Sequence, residues 1–549
     1  MDPITVSVVW NTLLSISEEM GSTVRRTAYS EAVREGDDFS TGVFDRKGRL
    51  VAQGNYSPGH LGAMPYVMEH VLGRYPASTF RPGDSVVLND SYMGSGHLPD
   101  MFMVTPAFHG DLLIGFTVNV AHHVDVGGAG PGSQVVQGVT DAYQEGIRIL
   151  PVKLVRGGEF EPDLLSMVLA NVRVPGKVEG DLRAQRNANF VGGKRLAKLY
   201  ADMGEDAVEA CIEEILVRSG ERMRELLRRI PDGRWSFEDR LDDYGPGTEP
   251  IVVAVDLEVH DGRAAVDFSR SSDQVAAGIN AYINYTRAYA CFAVRAMAGA
   301  LLPQNAGTLS AIDVVAREGC FFNPRHPAPS GGRAAVQIRI FEAIAGAMSQ
   351  ALPARAMAAF SHWSNPNIGG FDERTGRPFV MYDVILGGYG ARSDADGEEA
   401  LSPVFNCSNI PVEVHEMNNP VRIRKLAFVA DSAGAGTYRG GSAVCKEIEL
   451  LCDEATLSLL GDRHVFKPYG IDGGAAGSLA ITSVVSNGIE RPLASKEVVT
   501  LRRGDIVRLQ LSGAGGCGDP ALRSREAVAD DLADGLITPG AAADVYRHV

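Results

Sequence analysis

The chain has 549 residues, of which 45% are hydrophobic and 22% charged, a composition that fits several globular domains and excludes a disordered or fibrous protein. A formal net charge of −16, with no long Lys/Arg run, argues against a nucleic-acid partner, whose phosphates it would repel. The seven cysteines include no CxxC pair, the N-terminus has no signal-like apolar core, and no run of about 20 apolar residues could cross a membrane, so a reduced cytoplasmic protein is expected.

In chain order, apolar residues Ile4, Val8, Leu13, Ile16, Met20 and Val24 predict one helix over 4–33. A strand pair follows at 40–44 and 49–53, then a helix over 61–74. Strands are expected at 85–88, 101–106 and 112–120, with glycine-rich loops at 89–96 and 126–132 between and after them. Residues 160–230 read as helical, most clearly 205–229, where Val208, Ile212, Ile215, Met223 and Leu227 form one stripe. Alternation at 251–255 and 264–268 predicts a hairpin around 260–262. Helices are expected at 285–301 and 341–352, a loop-rich stretch over 365–440, strands through 443–515 and a helical tail over 526–545. The fold class is therefore α+β: a multidomain mixed α/β assembly with an antiparallel β-rich C-terminal domain.

Six of the twelve histidines fall before residue 124. His97 and Asp100 stand three apart in Gly-Ser-Gly-His-Leu-Pro-Asp, and His122-His123-Val-Asp125 comes about 25 residues later. Imidazole nitrogens and carboxylate oxygens delivered from strand ends suit a divalent transition metal with open positions. The competing reading is a set of loop-capping side chains. Adjacent histidines on a strand face opposite ways, so only one of His122 and His123 can be a simple ligand there. There is no GxxxxGK[ST], no GxSxG, no HExxH and no strand–GxGxxG–helix frame. Residues 432–436 with Arg439-Gly440-Gly441 could form an anion nest or simply a tight turn into the β region. The divisions expected are an N-terminal metal-site region (1–160), a helical segment (161–245), a mixed α/β middle domain (246–400), a β-rich C-terminal domain (401–525) and a helical tail (526–549).

Several runs occur in a characteristic order: Asp37-Asp38-Phe39-Ser40, His60-Leu61-Gly62, Asn89-Asp90-Ser91-Tyr92, His97-Leu98-Pro99-Asp100, His122-His123-Val124-Asp125-Val126-Gly127-Gly128 and Tyr143-Gln144-Glu145-Gly146. Asn171-Val172-Arg173, Tyr438-Arg439-Gly440-Gly441 and the glycine-rich stretch 513–520 extend the pattern. In these the chain resembles the hydantoinase B/oxoprolinase family along nearly its whole length. The family usually has Pro where Ser91 stands and Gly-Thr where Ser95-Gly96 stands. The resemblance implies a B-type subunit of a two-component, ATP-dependent hydrolase that opens a small cyclic amide (hydantoin, lactam or 5-oxoproline-like ring). A carboxylase subunit of the acetone/acetophenone type is the alternative. It implies a hydantoinase A-type ATPase partner, which would carry ATP and Mg and phosphorylate the amide oxygen. On this chain it implies a divalent metal (Zn, Mn or Fe) held by His97, Asp100 and His122. Asp38 would be a further ligand or a base, with His123, Glu145 and Asp125 in supporting positions.

Overall fold

The computed structural model describes residues 2–299, 301–401 and 404–548. It begins with α1 (Pro3–Thr27), whose apolar stripe Val9, Leu13, Ile16, Met20 and Val24 is wholly buried. The single helix expected over 4–33 is in fact two, because the chain breaks at Ala28 and restarts as α2 (Glu31–Arg34) with Ser30 as its cap. Asp181, from a distant helix, accepts the Tyr29 and Ser30 N–H groups and so stabilises the break.

A seven-stranded sheet follows, built from β1 (Phe39–Asp45), β2 (Leu50–Gln53), β3 (Ser85–Leu88), β4 (Asp100–His109), β5 (Leu112–His122), β6 (Val152–Arg156) and β7 (Glu159–Phe160), in the order β2-β1-β5-β4-β3-β6-β7. Between β2 and β3 lies α3 (Pro58–Arg74), which starts three residues earlier than its periodicity suggests, on Pro58 at its first turn. Next come α4 (Pro162–Leu169), α5 (Pro175–Met203) and α6 (Glu205–Leu227). The first two of these bury Leu165, Val168, Val178 and Leu182 against the β3–β6 end of the sheet. On α5, the carboxamides of Gln185 and Asn189 reach the backbone oxygens of Met101 and Met103 on β4.

The next unit is a four-stranded sheet of β8 (Gly233–Leu241), β9 (Ile251–His260), β10 (Arg263–Asp267) and, beyond α7 (Ile283–Met297) and the short α8 (Ala306–Leu309), β11 (Ile312–Val315). The β9–β10 hairpin turns where expected, and β8 lies just past the stretch read as helical, 160–230, within the division 161–245 expected to be a helical segment. Among the named strands only β10 and β11 pair in parallel. The buried helix α9 (Gln337–Ala351) packs across this sheet and against α7 within the largest apolar cluster.

The stretch expected to be loop-rich, 365–440, holds more structure than that: β12 (Asn367–Asp372), β13 (Arg377–Tyr382), α10 (Val412–Asn418) and β14 (Val421–Val429). Gly369 and Gly370 weaken the sequence signal of β12, yet both are required. A side chain at Gly369 would meet the Pro131 ring at 2.4 Å, and one at Gly370 the Glu454 carbonyl at 2.7 Å. Then come β15 (Ala443–Leu450), β16 (Glu454–Ser458), β17 (Ile481–Ser486), β18 (Ile489–Pro492), β19 (Val498–Arg502) and β20 (Ile506–Gln510). They form two antiparallel sheets, β13-β12-β16-β19 and β14-β15-β20-β17-β18, around one apolar core. The tail is α11 (Arg525–Ala533) and α12 (Pro539–Asp544). The fold is thus α+β with mostly antiparallel sheets, as its patterning implies. All seven cysteines are free and buried, and among the described residues no helix is long and apolar enough to cross a membrane.

Candidate metal centre

Three strand ends and one loop converge at the edge of the seven-stranded sheet. Asp100 opens β4, His122 closes β5, and the two face each other across the hairpin register. Asp38 immediately precedes β1, and its carbonyl accepts the His122 N–H at 3.0 Å. His97 comes from the loop entering β4. One ligand atom from each of His97, Asp100 and His122 lies within 4.8 Å of the others, and all three residues are buried.

The unused atoms point to a cation. His97 Nε2, Asp100 Oδ1, His122 Nδ1 and Asp38 Oδ1 are all buried without a hydrogen-bond partner. His97 Nε2 and Asp100 Oδ1 stand 2.9 Å apart without making a hydrogen bond, a close approach that suits two donors to one ion. The outer atoms are anchored. His97 Nδ1–H donates to the Gly331 carbonyl at 3.0 Å, leaving the Nε2 lone pair free. Gln134 Nε2 lies 2.7 Å from His122 Nε2; with that carboxamide turned over, its oxygen accepts Nε2–H and the Nδ1 lone pair is free as well. Tyr382 donates to Asp38 Oδ2 at 2.9 Å, so Oδ1 is the open oxygen. The enclosed free space is about 10 Å³, room for one ion or water. These residues fit a small divalent ion.

The electrostatics agree. Burial lowers the pKa of both imidazoles, His122 well below its ordinary value, with Arg333 adding to the effect on His97 and the His97 and Arg333 charges to that on His122. These shifts favour the neutral imidazole that a ligand must present. Burial works against the Asp100 carboxylate, but His97, His60 and Arg333 together outweigh it and hold its pKa well below the usual range. Burial raises Asp38 to about 6, against the pull of His60 and with the push of Asp100.

Residues the sequence reading did not nominate complete the cage. Arg333 and the Ser95 hydroxyl both donate to Asp100 Oδ2. His60 Nε2, on the first turn of α3, lies 3.2 Å from Asp100 Oδ2 and 3.8 Å from Asp38 Oδ1. His60 sits in one of the motifs quoted above, so it was within reach. Arg333 and Tyr382 come from hundreds of residues away with no local signal.

Three nominated residues do not reach the cage. His123 points to the opposite face, where Nε2 lies 3.0 Å from the Gln185 amide oxygen, as strand alternation requires. Asp125 accepts the Arg173 guanidinium at 2.8 Å and two backbone N–H groups, including that of Gly127. At Gly127 and Gly128, both with positive φ, side chains would meet the Asn171 and Glu145 carbonyl oxygens. Glu145 sits behind the cage and accepts the Ser330 and Gly331 N–H groups, supporting the loop whose Gly331 carbonyl holds His97. As for the possible anion nest, Arg439 is taken by Glu399 and Asp531, which leaves the turn reading in place.

Burial pushes Glu145 up to about 8, despite the two backbone donors. A carboxyl whose folded pKa exceeds its ordinary 4.5 holds its proton more tightly when folded. Its stabilising contribution is complete below about pH 4.5 and is lost as pH rises towards 8. Glu145→Gln keeps the acceptor and removes the titration. The variant is expected to show a flatter decline of melting temperature between pH 5 and 8 than the parent; parallel curves would contradict the assignment.

Comparison with known proteins gives a consistent result. The family described as Hydantoinase B/oxoprolinase matches residues 2–520. Caprolactamase subunit beta of Pseudomonas jessenii is 31% identical over 98% of this chain and 94% of its own length. The crystal structure of the ATP-dependent caprolactamase from that organism superposes with a TM-score of 0.91 at 29% identity, covering 100% of this chain and 96% of the other. The 5-oxoprolinase PfmaA of Pestalotiopsis fici is 30% identical over 95% of this chain, which spans 42% of that longer protein. A nucleotide-free acetone carboxylase shares the fold, with a TM-score of 0.90 at 19% identity over 100% of this chain and 79% of the other.

Proposed function

Since the chain belongs to the hydantoinase B/oxoprolinase family, we propose that it is the metal-bearing component of an ATP-dependent enzyme that opens a cyclic amide. The observation that carries this reading is the buried cage, where partnerless ligand atoms of His97, Asp100 and His122 lie within 4.8 Å of one another and Asp38, with its own partnerless Oδ1, lines the same space. His97 Nε2, Asp100 Oδ1 and His122 Nδ1 would hold a divalent ion such as Zn, Mn or Fe, which would supply Lewis-acid polarisation and a more acidic water.

The chain's own groups divide the remaining work. Asp38, with a pKa of about 6, is largely ionised at neutral pH, and its free Oδ1 takes the proton from the water that attacks the ring carbon. Tyr382 fixes the other oxygen. His60 and Arg333 keep Asp100 ionised. Walls formed by Trp363, Tyr285, Tyr289 and Phe405 exclude bulk water. An amide carbon resists attack, so ATP first phosphorylates its oxygen; water then adds to the carbon, the ring C–N bond breaks as the nitrogen takes a proton, and a second water releases the acyl phosphate as carboxylate and phosphate. No GxxxxGK[ST] stands in the chain, and the subunit-beta name of the caprolactamase relative supports a separate partner, which on this reading is the A-type ATPase that carries ATP and Mg.

The test is co-expression with the A-type ATPase. ATP-dependent opening of a hydantoin, lactam or 5-oxoproline ring is expected from the pair, and nearly none from this chain alone. Full ATP-dependent turnover by the isolated chain, or carboxylation of a ketone in place of ring opening, would overturn the reading.

A further inference from the structure

The cation that fits the cage answers its lone pairs but not its N–H groups. His97 Nε2, Asp100 Oδ1, His122 Nδ1 and Asp38 Oδ1 all offer electron pairs. Two further side chains of the same wall, Gln337 and Trp363, are buried, and each keeps an N–H without a hydrogen-bond partner among the described residues: Nε2 of the carboxamide and Nε1 of the indole. Neither can ligate a metal, because an amide NH₂ and an indole N–H only donate. Buried donors are nearly always paired, so two left over at one small site call for an acceptor that enters it.

The orientation of Gln337, the first residue of α9, is fixed by its neighbours. Arg333 Nη1 donates to the Tyr285 oxygen at 3.1 Å, so the Tyr285 proton goes to Gln337 Oε1 at 2.6 Å. Tyr289 donates to the same oxygen at 2.8 Å. With its oxygen taken by two hydroxyls, the carboxamide turns its nitrogen away from them. The Trp363 ring stacks on His362 and on Phe405, with interplanar angles of 21° and 17°. Other donors of the wall are already taken: the Arg333 guanidinium by Asp100, Ser95 and Tyr285, and the Tyr382 hydroxyl by Asp38.

We propose that Gln337 Nε2–H and Trp363 Nε1–H are catalytic donors to the oxygen of the attacking water once that oxygen becomes an anion. The proposal rests on the reading that the chain opens a cyclic amide. Asp38 takes the first proton as the water oxygen bonds to the ring carbon, and passes it to the ring nitrogen. Loss of the second proton leaves an alkoxide on the same oxygen. Its electron pair forms the new C=O, the ring C–N bond breaks, and the nitrogen leaves with the pair of that bond and takes the second proton. Negative charge develops on this oxygen only during the reaction, so donors fixed around it lower the barrier without tightening substrate binding.

Two measurements test it. Trp363→Phe keeps a stacked ring and removes the N–H; Gln337→Met removes the amide. In the chain paired with its ATPase, each is expected to lower kcat for ring opening about 100-fold or more, the usual effect of losing one such donor, with KM, metal content and ATP cleavage those of the parent. Fluoride, a single-atom anion that accepts hydrogen bonds, is the probe in a calorimetric titration of the metal-loaded chain alone. The parent should bind it, and each variant about 10-fold more weakly, the scale of one hydrogen bond to an anion. Should Gln337→Met fail to fold, for want of the acceptor the two tyrosines share, Trp363→Phe decides. A folded variant with the parent's kcat, a rate lost together with the metal, or equal fluoride affinity in parent and variants would overturn the proposal. The titration needs no turnover: a pair that opens no ring but keeps the fluoride difference removes the functional reading and leaves the donor site, and ring opening that depends on neither side chain does the reverse.

Discussion

Replacing His122 with Ala is expected to lower ring opening by about 1,000-fold or more, the factor that follows from losing several kcal/mol of transition-state stabilisation. His122 supplies one of the three ligand atoms and closes the strand that faces Asp100. Its ring touches Tyr382 and Gln134 but carries no part of the sheet's hydrogen bonding, so the fold and the partner contact should survive. The ATPase partner should go on cleaving ATP, and the assay should show phosphate release without product. An imidazole that merely capped a loop would give a small stability loss and normal coupling. Ring opening within a few-fold of the parent would exclude His122 from the reaction.

Asp38→Asn is expected to reduce kcat by about 100- to 10,000-fold, the usual contribution of a positioned general base. The substitution preserves shape and can still accept from Tyr382, so a structural role alone would be nearly silent. Metal content should remain that of the parent, in contrast with the His122 variant. In the parent, the rate should rise with pH through the ionisation of Asp38, because the base acts in its ionised form; burial raises that pKa and a cation in the cage lowers it. The variant should lose that limb. A full-rate Asp38→Asn enzyme, or one that has lost its metal, would reassign the residue.

The sequence disclosed the parts of this site that are local. His97 and Asp100 share one loop, and His122 ends a strand whose apolar run is plain, so residue type and spacing already joined them. His60 was visible only as a motif, because its reach to Asp100 depends on how α3 lies over the sheet. Arg333 contacts Asp100 across 233 positions and Tyr382 contacts Asp38 across 344, separations no local pattern encodes. Glu145 illustrates the converse. It lies in a motif and is buried, yet it acts on the backbone at 330–331 and not on the cage. In the fold, the periodic helices and hairpins appeared near their expected positions. The losses were where glycine serves close packing, as in β12, or where a tertiary contact breaks a helix, as Asp181 does after α1.

Elemental analysis of the purified chain, beside its His97→Ala variant, tests the central claim most directly. With His97, Asp100 and His122 as the ligand set, the parent should carry close to one divalent transition-metal ion per chain. The variant should carry little, while its circular dichroism and melting cooperativity stay those of the parent. Equal metal content in the two proteins, or none in the parent after growth in metal-replete medium, would contradict the account.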